Sequence, residues 1–181
     1  MRRKLGEGVF STVYEAFNIK ADISCAIKVI SKTKLREHKV HEELMIQELE
    51  ILDKLENPHI VHVFDICEDV NNIYIVMELI IHGTLMQKLS TIKENQASLN
   101  EQDAAKIVYQ ILIALNFLHK QNVIHRNLKL ENIMVDLERI DEEQTSLICK
   151  VTDFGYAKAL EKDQKETLSF GVPIYMAPEL V

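Results

Sequence analysis

A lysine and two glycines near the start of the chain are the first residues whose spacing could do chemistry. Leu5-Gly6-Glu7-Gly8-Val9-Phe10-Ser11-Thr12-Val13 reads as G-x-G-x-x-S-x-V. On a strand–turn–strand, glycines of that kind let backbone N–H groups approach phosphate oxygens closely. Taken alone, the stretch fits an ordinary glycine hairpin better. Cys25-Ala26-Ile27-Lys28 follows, and period-two alternation puts Ala26 and Lys28 on one strand face, a small apolar contact beside a cation. An exposed strand lysine would look the same. What separates the two readings is Glu48, which falls on the inward stripe of a helical pattern with Met45, Leu49, Leu52 and Leu55. An inward carboxylate needs a partner, and Lys28 is the candidate.

The elements that must position these groups follow from hydrophobic periodicity. Runs at 9–17 and 24–30 are β-rich around a polar turn, and a helix is predicted from about 41 to 55. Two further strand-like runs, 61–67 and 73–78, lead to a short connection near 80–83. The boundary between two lobes is expected there, with 1–79 forming the first and 84–181 the second. The segment 100–120 is predicted as a long helix, with Asn100 as N-cap and Asp103 placed as in a capping box. Its apolar residues, Ile107, Val108, Ile111, Leu112, Leu115 and Leu118 among them, nearly encircle it, which predicts burial on most sides.

Composition bounds the function classes. A chain of 181 residues suits one globular domain, and a bilobal one is within range. The formal charge of −7, with both signs interspersed, argues against a nucleic-acid surface, which needs clustered Lys and Arg. Cys25, Cys67 and Cys149 form no CxxC pair, so neither a disulfide framework nor a zinc site is indicated, and a reducing cytoplasm is expected. The most apolar stretches, 73–81 and 107–118, are too short to span a bilayer. No membrane insertion is expected.

Three later motifs make the pattern specific. His125-Arg126-Asn127-Leu128-Lys129-Leu130-Glu131-Asn132, Asp153-Phe154-Gly155 and Ala177-Pro178-Glu179 resemble the catalytic loop, the magnesium motif and the activation-segment end of eukaryotic protein kinases. With the glycine loop and Lys28 they stand in the family's order. The resemblance covers essentially the whole chain and is nearest the calcium/calmodulin-dependent group of Ser/Thr kinases. It implies an α+β, bilobal protein-kinase-like fold: a β-rich N-lobe with one helix, a hinge at 80–83, and a mainly helical C-lobe. Because the chain stops just after Ala-Pro-Glu, the expectation is a truncated C-lobe and a fragment of a longer kinase fold.

Carried across residue by residue, the resemblance implies that Gly6 and Gly8 cover the phosphates of ATP, while Lys28, held by Glu48, binds the α- and β-phosphates. Asn132 and Asp153 would ligate Mg²⁺. Leu5, Val13, Ala26 and Met134 would enclose the adenine, with Met77 at the rear and backbone groups of Glu78 and Ile80 at its edge. Leu52, Val63, His125 and Phe154 match an internal structural column, so His125 is expected to be a core histidine. Glu131 alone could attract a substrate arginine, because Thr84 stands where an acidic residue is usual.

Two departures bear on activity. Asn127 occupies the position of the aspartate that accepts the substrate hydroxyl proton, and a carboxamide is not a useful base. Val172 replaces a threonine that normally hydrogen-bonds to that aspartate and to the catalytic-loop lysine, here Lys129. The expectation is therefore an ATP-binding Ser/Thr-kinase-like domain with weak or absent phosphotransfer. Its partners would be ATP and either a protein substrate or a regulatory protein. The alternatives are a pseudokinase module that binds a protein under nucleotide control, and a truncated product without function.

Overall fold

Alternating β-branched and aromatic residues build most of the first of two compact units, which comprises Met1–Leu55 and His62–Leu79. The computed structural model describes residues 2–37, 39–139, 145–161 and 172–178. In this unit β1 (Lys4–Glu7), β2 (Ser11–Asn18), β3 (Ile23–Ser31), β4 (Val63–Glu68) and β5 (Asn72–Glu78) make one antiparallel sheet, ordered β1-β2-β3-β5-β4. Gly8 closes the β1–β2 turn, its N–H donating to the Ser11 carbonyl at 2.8 Å. A Cβ at Gly8 would sit 3.3 Å from Ser11 Oγ, whereas one at Gly6 would meet nothing.

The predicted helix is present, with one further short helix ahead of it. A short α1 (Lys32–Arg36) precedes α2 (Lys39–Leu52). The Ser31 hydroxyl caps α1 by accepting from the Lys34 N–H, and only Leu35 is buried, so α1 leaves no apolar periodicity to read. α2 stops at Leu52 rather than 55. The Leu55 N–H turns back to the Leu52 carbonyl, ahead of Asn57-Pro58, where proline cannot donate and biases its predecessor away from helix. Leu55 is nevertheless buried in the core.

The second unit comprises Glu56–Val61 and Ile80–Val181. Val61, expected at the start of a strand over 61–67, instead donates to the Val151 carbonyl at 3.0 Å, and the Val151 N–H donates to His59. These bonds, with a fully buried Ile60, tie this short piece to Val151 rather than to β4.

In the second unit α3 (Leu85–Glu94) begins with a capping box: Thr84 Oγ1 accepts from the Gln87 N–H, and Gln87 Oε1 accepts from the Thr84 N–H. Gly83 makes that box possible. It sits at φ 81, and any Cβ there would collide with Gln87 Oε1. α4 (Glu101–Lys120) is capped by Asn100 Oδ1, which accepts from the Asp103 N–H at 2.8 Å. The reciprocal bond runs between side chains, from Asn100 Nδ2 to Asp103 Oδ2.

After α4 come β6 (Val123–Ile124), β7 (Ile133–Arg139), β8 (Thr145–Val151) and β9 (Lys158–Ala159); β6 pairs with β9, and β7 with β8 from Ile133↔Val151 to Arg139↔Thr145. Ile107 of α4 packs with Leu85, Ile133, Val135 and Cys149. Burial pushes the Cys149 thiol up to about 11, so it stays neutral. Gln110 fastens the helix to β8 through both ends of its amide: Nε2 donates to the Leu147 carbonyl at 3.0 Å, and Oε1 accepts from the Cys149 N–H at 2.8 Å.

The apolar residues that nearly encircle α4 divide between one covered stripe and an exposed face. Ile107, Ala114 and Leu118 form one buried stripe, while Val108, Tyr109 and Leu112 are exposed, Tyr109 by 67%. Among the described residues no helix is long and apolar enough to cross a membrane.

Candidate active site

The first unit assembles one set of predicted residues on a single sheet face. Register pairs Val13 with Lys28 across β2 and β3, and Ala26 with Met77 across β3 and β5. Directly opposed residues share a face, as do residues two apart, so Val13, Ala26, Lys28 and Met77 lie together. Lys28 Nζ donates to Glu48 Oε1 at 2.6 Å, and Glu48 is only 2% exposed. Glu48 Oε2 is buried without a hydrogen bond among the described residues.

The strand ends are pinned. Glu78 donates its N–H to the His62 carbonyl at 3.0 Å, while its Oε1 accepts from the His62 N–H at 2.7 Å. Leu5 lies at the irregularity between β1 and β2 and is 41% exposed.

The second unit holds the remaining predicted residues. Ile80 is buried, and Met134 sits on β7, bridged to Thr84. Lys129 precedes a single 3-10 turn, Leu130–Asn132, whose Asn132 N–H donates to the Lys129 carbonyl at 3.0 Å. Asn132 Nδ2 donates to the Asn127 carbonyl at 2.8 Å and to Asp153 Oδ2 at 3.2 Å. Asn127 Nδ2 donates to that same Asp153 oxygen at 3.0 Å. Asn127, Asn132 and Asp153 thus form one connected network, and Asn127 and Asn132 are each 7% exposed. Backbone strain accompanies it, since Arg126 and Asp153 stand at φ 60 and φ 64, a region sparsely used by non-glycine residues. Arg126 Nε donates to the Tyr156 carbonyl at 2.6 Å, which helps to hold its loop.

His125 supports this network from the core. It packs edge-on against Phe154, with ring centroids 4.9 Å apart. Its Nε2 faces the Thr152 carbonyl at 3.0 Å, and Nδ1 accepts from the Asn127 N–H at 3.3 Å. These partners assign the neutral tautomer with the proton on Nε2. Burial pushes His125 below its ordinary value, outweighing the Thr152 carbonyl and the Asp153 charge, which pull it up. The folded value therefore lies below the unfolded one, so the histidine's contribution to stability is complete above the unfolded value and is lost as pH falls. The urea midpoint is expected to fall as pH drops below 6.5, and His125→Phe, with no proton to bind, to show a flatter slope. Equal slopes in the two proteins would refute the assignment.

The donors suit a hard cation. Asn132 Nδ2 is committed to the Asn127 carbonyl; the Asn132 amide oxygen and the Asp153 carboxylate are the groups that would hold Mg²⁺, which prefers such oxygen ligands. Among the described residues no group of three or more His, Cys, Asp or Glu could hold a metal. A bound Mg²⁺ would therefore complete its shell with water and phosphate oxygens.

Other predicted residues stand apart from this chemistry. Val172 is 39% exposed and offers no side-chain hydrogen bond. Glu131 is within 3.4 Å of the Tyr175 hydroxyl, a contact that sequence did not suggest. Glu179 of the Ala-Pro-Glu motif lies outside the described residues.

Known proteins are similar to this chain along nearly all of its length. The family model for the protein kinase domain matches residues 1–181. The chain is 36% identical to serine/threonine-protein kinase 33 of Bos taurus, over 99% of this chain and 36% of that protein. It is 35% identical to probable serine/threonine-protein kinase fhkD of Dictyostelium discoideum, over 98% of this chain and 23% of that protein. With myosin light chain kinase A of the same organism it shares 33% identity, over 99% of this chain and 57% of that protein. The chain thus spans roughly a quarter to three fifths of the length of these relatives. An antiparallel sheet whose Lys28 pairs with Glu48 of α2, and the ordered motifs from His125 to Glu179, agree with the match: the chain belongs to the protein kinase domain family, among the eukaryotic Ser/Thr kinases.

Proposed function

We propose that this chain is an ATP-binding Ser/Thr protein kinase-like domain whose transfer of the γ-phosphate to protein hydroxyls is weak or absent. Lys28, held by Glu48, binds the α- and β-phosphates, and Gly6 and Gly8 present backbone N–H groups to the phosphates. Leu5, Val13, Ala26 and Met134 enclose the adenine. Met77 closes the rear, and the backbones of Glu78 and Ile80 serve the adenine edge. Asn132 and Asp153 hold Mg²⁺, which when bound neutralises phosphate charge. Lys129 remains to stabilise the transferring phosphoryl group.

One observation carries the reading of weak transfer. Asn127 directs Nδ2, a donor, to Asp153 Oδ2, where general-base chemistry needs a side chain that accepts a proton. The same hydrogen bond favours a second reading, a pseudokinase that binds a regulatory protein under nucleotide control, because the loop is ordered without any need for turnover. A cytoplasmic setting suits three cysteines with no disulfide among them.

Thermal unfolding with and without ATP·Mg²⁺ tests nucleotide binding. A rise of about 2.7 kcal/mol in stability is expected at a hundredfold excess of ligand over its dissociation constant. Lys28→Met/Glu48→Leu, which removes both charges together, is expected to lose that rise. No nucleotide-dependent shift in the wild-type chain would refute the assignment.

A further inference from the structure

The amide at Asn127 does more than withhold a base. A carboxylate only accepts hydrogen bonds, so Asn127 and Asn132 must both turn their nitrogens to Asp153 Oδ2, as they do at 3.0 and 3.2 Å. Two N–H donors thus converge on one oxygen of the expected metal ligand and offset part of its charge. They also help to hold Asp153 at φ 64, a backbone state that persists only where its surroundings over-determine it. With aspartate at position 127, two carboxylates would face each other at that spacing. Like charges at that spacing repel each other unless a cation lies close to both.

We propose that Asn127 acts as a built-in stand-in for the divalent cation, so that the chain retains nucleotide with little dependence on Mg²⁺. This rests on the ATP-binding reading above and adds its regulation: occupancy follows nucleotide concentration rather than free metal. Asn127 is a positioning residue here, acting on nucleotide through Asp153. Three features converge on this outcome. Asp153 Oδ2 is already engaged by two donors, which lowers the gain from a metal. The loop carries one negative charge fewer than its aspartate counterpart, which lowers metal affinity again. The partly neutralised Asp153 repels a metal-free polyphosphate less than a bare carboxylate does.

The test is the affinity of a fluorescent ATP analogue, in EDTA and in saturating Mg²⁺, for the wild-type chain, Asn127→Asp and Asn127→Ala. Thermal unfolding with Mg²⁺ and no nucleotide is a second readout. Wild-type affinity is expected to change by less than about threefold between the two conditions. Asn127→Asp is expected to lose about tenfold or more in EDTA, with Asn127→Ala between them. Mg²⁺ alone is expected to raise the melting temperature of Asn127→Asp and leave the wild type unchanged. Equal cation dependence in all three proteins overturns the proposal and leaves ATP binding standing. No binding by the wild type under either condition overturns the ATP-binding reading and the proposal with it. If Asn127→Asp does not fold, the alanine variant decides: a wild type as dependent on Mg²⁺ as Asn127→Ala overturns the proposal.

Discussion

Asn127→Asp is expected to raise the rate of γ-phosphate transfer from ATP to a serine peptide by about 10²- to 10⁴-fold, the usual contribution of a positioned general base. The existing geometry supports recovery by one substitution. Asn127 is 7% exposed, its backbone N–H is tied to His125, and its carbonyl is tied to Asn132, so an isosteric aspartate inherits a fixed backbone. At saturating Mg²⁺ the gain belongs in kcat rather than KM, because the base acts on the reacting hydroxyl. The assay uses radiolabelled ATP at saturating Mg²⁺, so that the altered cation requirement of the variant does not mask its turnover. Adding Val172→Thr supplies the hydroxyl that valine lacks at that position and is expected to raise the rate further. Equal turnover by the wild-type chain and Asn127→Asp would show that the asparagine is not what limits transfer.

Lys28→Met is expected to destabilise the first unit by about 3–5 kcal/mol. Glu48 is 2% exposed, and its Oε1 accepts from Lys28 Nζ at 2.6 Å while Oε2 accepts nothing among the described residues. Methionine keeps the length and apolar stem of lysine but leaves a buried carboxylate with no donor at either oxygen. Domain stabilities run to about 5–15 kcal/mol, so the loss removes a large share of the total. Lys28→Met/Glu48→Leu is expected to recover more than half of it, since replacing both charges with apolar groups also removes the desolvation cost. Chemical denaturation measures all three proteins. A Lys28→Met variant within about 0.5 kcal/mol of wild type would mean that Glu48 is solvated or otherwise paired in solution.

Short-range pattern made the Lys28–Glu48 pair legible. A period of two places Lys28 beside Ala26 on a strand face, and a period of 3.6 turns Glu48 inward with Met45, Leu49 and Leu52. Both periods are local, so no tertiary information is needed to see that a buried carboxylate requires a cation. The N-cap at Asn100 was legible for the same reason. By contrast, α1 rests on one cap and one buried leucine, too little pattern to detect. The Gln110 clamp on β8 was hidden because its partners are backbone groups far along the chain. Thr84 was read for the acid it lacks, whereas the structure gives it work as half of a capping box that Gly83 permits.

Chain chemistry by itself determined the family motifs, the loss of a basic side chain at 127, and the absence of clustered positive charge. Tertiary structure decided where these groups point. It turned the Asn127 amide onto Asp153, tied residues 59–61 to β8, and left Val108, Tyr109 and Leu112 exposed on α4. The physical reason is range. Side-chain identity and helical or strand periodicity act within a few residues, whereas the choice of hydrogen-bond partner for an amide, or of the covered face of a helix, depends on groups brought close only by folding.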